Sequence, residues 1–168
     1  ENNLLTLSYA HYSIHPNNKA LKNKLYEVFS NNELIDIILS SSISKLTLAF
    51  KYLQNNQIRH RLVSLISKDQ WVSVFNNVPF KFLGNSLTEI KTINSELAFY
   101  IYNNLDEEYI SSRIGSTHFD NITKTLSEIN VLGNQKAKFI LGKIPQERIQ
   151  KSIGFVSISQ IGIGLSRL

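Results

Sequence analysis

The chain has 168 residues, 42% of them hydrophobic, with no cysteine, no methionine and a formal net charge of +5. That length supports one sizeable domain or two small ones, with a core that needs no covalent staple. Without thiols there are no disulfides, thiolate metal sites or cysteine nucleophiles, and the basic balance admits nucleic acid, anionic lipid or an acidic protein as partner.

Residues 1 to 16 alternate loosely through Leu5, Leu7 and Tyr9 and end at His15-Pro16, where the residue before proline is pushed out of the helical region. This stretch reads as a linker or docked extension. Leu21, Leu25, Val28 and Phe29 then fall on one face of an amphipathic helix. Asn32 is placed to cap a short helix from Glu33 to Leu39, which the serines from Ser40 to Ser42 end. A third helix follows on Leu46, Leu48, Ala49, Tyr52 and Leu53, and a fourth on Ile58, Leu62, Leu65 and Ile66.

Ser67-Lys-Asp-Gln70 has the capping-box form before Trp71, Val74, Phe75 and Val78. Ser86-Leu-Thr-Glu89 repeats that form ahead of Leu87, Ile90, Ile93, Leu97, Ile101 and Leu105, which predicts one spine helix of about five turns. Residues 98–114 overlay on residues 137–153 without a gap at an offset of 39, a length typical of helical-repeat units. Asp106 and Pro145 sit at the first turn of the second helix of each copy, where a carboxylate is favoured and a missing N–H costs nothing. The apolar tail 155–168 reads either as a strand-like extension or as a frayed helix.

His11 and His15 have the i, i+4 spacing that puts two imidazoles on one helix face, but no third ligand accompanies them. Asp106-Glu107-Glu108 supplies clustered carboxylates, read as a helix N-terminus favouring negative charge. Lys51, Arg59, Arg61 and Lys68 form the densest basic patch, suited to a phosphate backbone or an acidic surface. No nucleotide-binding glycine pattern is present, and no cofactor is expected.

From Leu46 onward the order of features resembles the C-terminal domain of FliG, the flagellar rotor (switch) protein. The matching pieces are Leu46-Thr-Leu-Ala49-Phe-Lys51, Ile58-Arg59-His-Arg61-Leu62, Ile66-Ser67-Lys68-Asp69, Leu83-Gly84 and Leu87-Thr-Glu-Ile90, within residues 33–105. Partner contacts are expected at Lys51, Asp69, Asn76 and Asn77, the positions that the resemblance marks, and at Arg59, Arg61 and Lys68 of the basic patch. The resemblance also implies a divergent relative, because Asp69 stands where the family has an arginine and Asn76 and Asn77 stand where it has acids. Leu132 to Leu141 with Pro145-Gln-Glu147 is similar to the armadillo-like units of the same family, which precede the torque domain there and follow it here.

The expectation is an all-α protein of four parts: the extension 1–16, a helical bundle 17–105, an armadillo-like repeat 106–154 and the tail 155–168. Functionally it is a non-enzymatic interaction protein that stacks on copies of itself or on rotor-ring proteins, cytoplasmic and at the inner face of the membrane only through those partners. The alternative is an unrelated helical-repeat module whose basic face holds an acidic protein or nucleic acid.

Overall fold

The computed structural model describes residues 3–15, 17–114 and 118–154; the tail lies outside them. Among the described residues every regular element is an α-helix. In chain order these are α1 (Leu4–Ser13), α2 (Lys19–Glu27), α3 (Asn31–Ser40), α4 (Ile43–Tyr52), α5 (Asn56–Ser64) and α6 (Lys68–Asn76). They continue as α7 (Phe80–Ile93), α8 (Ser95–Asn103), α9 (Glu107–Ser112), α10 (Phe119–Asn130), α11 (Asn134–Lys143) and α12 (Gln146–Gly154). The fold is therefore all-α. No helix among these is long and apolar enough to cross a membrane.

The helix boundaries recur. Helices α1, α4, α7 and α10 begin at Leu4, Ile43, Phe80 and Phe119, at spacings of 39, 37 and 39 residues. Their second partners α2, α5, α8 and α11 have N-caps at Asn18, Asn55, Asn94 and Gly133. In the first three the asparagine side chain accepts a backbone N–H of the first turn, removing one orphan donor. The third helices α3 and α6 open on Ser30 and Ser67, both in full capping boxes. Asp106 plays that part for α9 by accepting the Tyr109 N–H at 2.9 Å, and Pro145 precedes α12.

The chain is thus parsed into four successive triplets of helices. First helices pack in sequence, α1 on α4, α4 on α7 and α7 on α10, while α6 packs on α8 and α9 on α11. Each first helix buries residues at i, i+3, i+4 and i+7: Leu4, Leu7, Ser8 and His11 in α1, then Ile43, Leu46, Thr47 and Phe50 in α4. The same slots hold Phe80, Leu83, Gly84 and Leu87 in α7, and Phe119, Ile122, Thr123 and Leu126 in α10. Large apolar residues at the first, second and fourth slots face the core, and the small third residue lets the neighbouring first helix approach. The buried side chains form one continuous cluster from Leu4 to Ile144, with Trp71 at its centre donating its indole N–H to the Val63 carbonyl at 3.0 Å.

Three expectations are corrected. The spine helix is two helices, because Asn94 leaves helical geometry (φ −147°, ψ 99°) and caps α8 through the Leu97 N–H. Ser86 does not open a helix; it lies inside α7, buried, with its hydroxyl 2.7 Å from Thr47. The cap of α3 is Ser30 rather than Asn32, since Ser30 and Glu33 exchange both bonds of the box. In addition, Leu4–Ser13 of the expected extension is helical and packs on α4.

Candidate functional site

The seven residues singled out by the basic patch and the rotor resemblance lie on α4, α5 and α6 and meet different neighbours. Lys51 is exposed on α4 and donates to the Asn85 side chain of α7 at 3.3 Å. Arg59 pairs with Glu89 at 2.5 Å and with the Thr92 hydroxyl at 2.9 Å, its side chain 16% and that of Glu89 12% exposed. Arg61 donates to Asn31 at 3.1 Å, and Lys68 pairs with Glu96 at 2.5 Å. That pairing raises the Lys68 pKa and lowers that of Glu96, each through the hydrogen bond between them.

Asp69 accepts the Tyr100 hydroxyl at 2.8 Å, which raises the tyrosine's pKa. Asn76 accepts the Asp106 backbone N–H at 2.9 Å, and Asn77 bonds the Ser73 carbonyl at 2.9 Å. Much of this polarity joins one triplet to the next. Lys68 to Glu96 links α6 to α8, and Glu107 to Lys136, at 2.7 Å, links α9 to α11 with the charges reversed.

The histidine pair does not converge. His11 is buried against Tyr26, ring centroids 5.7 Å apart, whereas exposed His15 accepts the Asn17 N–H at 3.3 Å. No cluster of three or more metal-ligating side chains occurs among the described residues. Glu108 of the acidic triplet pairs with Lys143 at 3.4 Å. An open groove of about 520 Å³ runs between the α3–α4 junction and α6, lined by Ser41, Ser42, Ser44, Gln70, Ser73 and Asn77 together with apolar residues. These hydroxyls and amides can hydrogen-bond a ligand but do not ionise near neutral pH.

The side chains left facing outward on the first helices form a different arrangement. Tyr9 and Tyr12 of α1 flank Tyr52 of α4, with ring centroids 4.6 and 5.6 Å from it. The neighbouring Tyr52 side chain raises the pKa of Tyr9. Further along, Lys81 lies 4.9 Å from the Phe82 ring centroid, and Lys124 approaches Glu128 at 4.0 Å. In the sequence Tyr9 and Tyr52 read only as parts of apolar patterns and Tyr12 has no role; the signal for the cluster is two tyrosines three apart, off the apolar stripe of α1.

An all-α array with an exposed, mixed aromatic and cationic face defines a class by shape alone. Compared with known proteins, the chain matches no family model, no curated sequence and no solved structure.

Proposed function

We propose that the chain is a non-enzymatic binding scaffold of armadillo-like three-helix units, presenting the outer faces of its stacked first helices to an extended partner. The observation that carries this reading is the recurrence of helix starts and caps through four triplets, with first helices packed in order. Units that cannot bury their own apolar faces stack into a quasi-one-dimensional array, and such arrays use their long surfaces for binding. The groove between the α3–α4 junction and α6 accords with this, since its lining offers hydrogen bonds without an acid–base pair.

Site-specific photocrosslinking tests the reading. A photoreactive residue replacing Tyr12, Lys51 or Lys124 is expected to capture the same macromolecule from cells, and one at Lys143 on α11 to capture none. Capture at Lys143 alone, or at no position, overturns it.

The rotor resemblance over residues 33–105 gives the same scaffold a particular partner, the ring proteins at the inner face of the membrane. Its support is the sequence spacing through Leu46 to Lys51, Ile58 to Leu62 and Leu83-Gly84, with Lys51 keeping the basic residue of the family. Association of a tagged chain with flagellar basal bodies is the expected outcome of that version, and its absence rejects it.

A further inference from the structure

Resting on the scaffold reading, we propose that the outer face of the stacked first helices holds single-stranded RNA, one nucleotide per unit. One and four residues after each small packing residue, Ser8, Thr47, Gly84 and Thr123, two side chains per unit lie beside the buried stripe, exposed in the first two units and at Lys124, half-buried at Asn85, Thr88 and Ser127. They are Tyr9 and Tyr12, Leu48 and Lys51, Asn85 and Thr88, and Lys124 and Ser127. Tyr9, Tyr12 and Leu48 are 44%, 54% and 43% exposed, large exposures for residues of their kind.

The chemistry of these eight positions selects the ligand. None is a carboxylate, two are lysines, two are tyrosines, and Asn85, Thr88 and Ser127 both donate and accept hydrogen bonds. Flat exposed rings beside cations are what bases and phosphates together require: a π face to stack on and a positive charge for the backbone. Tyr9 and Tyr12 with Tyr52 supply the rings, and Lys51, the chain neighbour of Tyr52 in α4, supplies a cation.

Glu89 pairs with Arg59 at 2.5 Å, Glu128 lies 4.0 Å from Lys124 and takes up part of its charge, and Asp120 lies at the first turn of α10, which leaves Lys51 as the main cation of the face. An acidic peptide would satisfy the lysines and leave the tyrosine platform without a counterpart. Tandem helical units that read RNA do so with two or three side chains for each base, and the amide and hydroxyls here can meet base edges and the 2′-OH.

Fluorescence anisotropy of the full chain with labelled rU12, dT12 and a poly-glutamate peptide, at low and moderate salt, tests this. The expected result is rU12 binding that weakens with salt and exceeds dT12 binding. Replacing both Tyr9→Ala and Tyr12→Ala should weaken it about tenfold, the loss of the one base stacked on this unit, and Lys51→Ala should lower the salt slope by about one. Lys143→Ala should change nothing, and circular dichroism should show every variant folded. Absence of rU12 binding, indifference to both tyrosines, or equal binding of dT12 overturns the assignment to RNA. Poly-glutamate binding that depends on Lys51 also overturns it but leaves the scaffold reading standing, which only the crosslinking result can remove.

Discussion

Thr47 of α4 and Ser86 of α7 share a buried hydrogen bond of 2.7 Å, and the next joint along the array repeats that meeting of small residues in another form. There Gly84 of α7 faces Thr125 of α10, so closely that a Cβ on Gly84 would lie 2.8 Å from the Thr125 carbonyl oxygen and 2.6 Å from the Glu128 Cβ. Gly84 and Thr47 occupy the same slot of their units, as do Thr125 and Ser86. Gly84→Ala is therefore expected to push α10 from α7 and cost about 1–3 kcal/mol, the range for overpacking. Thr47→Val strands the Ser86 hydroxyl and should cost about 1 kcal/mol. Adding Ser86→Ala should restore most of that loss. Urea unfolding followed by circular dichroism checks all three.

His11 fills the core slot that its sister units give to Phe50, Leu87 and Leu126. Burial lowers its pKa, with the charge of Lys22 adding to the effect, and its Nδ1 and the neighbouring Tyr26 hydroxyl lack hydrogen-bond partners. The unfolded imidazole takes up its proton near pH 6.5 while the folded one does so only below that value. The native state is therefore undiminished by this group above about pH 6.5 and loses stability as the pH falls toward the lowered pKa. His11→Leu should raise the urea midpoint at pH 5.5 more than at pH 8, and equal shifts at the two pH values would count against this account.

Arg59 and Lys68 looked alike in the sequence and differ in their surroundings. Arg59→Met leaves Glu89 largely enclosed without its cation and should cost about 2 kcal/mol, less than a fully buried pair. Lys68→Met opens an exposed pair and should leave the unfolding midpoint unchanged within error. A double-mutant cycle with Glu89→Gln separates coupling from desolvation.

Most helices were legible because their apolar stripes and caps are local signals, the capping box at Ser67 above all. The break at Asn94 was not, since Leu87, Ile90, Ile93, Leu97 and Ile101 keep a helical rhythm across it while α7 and α8 bury the same side. The serine, threonine and glutamate from Ser86 to Glu89 imitate a cap inside a helix. The offset of 39 linking residues 98–114 to 137–153 marks one pair of units. The earlier units hid because the spacing drops to 37 and equivalent slots hold dissimilar residues, His11 against Phe50 or Asn94 against Gly133. The partners of the basic patch, Glu89 and Glu96, lie 30 and 28 residues from Arg59 and Lys68, beyond any local pattern.

The unit array is tested most directly by removing its last triplet. A chain ending at Ile114 retains α1 to α9, three stacked units, the number such arrays need for stability. The sole tryptophan, Trp71 in α6, reports on the remainder. The array predicts that helicity per residue and Trp71 emission match those of the full chain, with a urea m value lower by about a quarter, following the surface lost. An unfolded fragment, with Trp71 emission at its denatured wavelength in plain buffer, would contradict it.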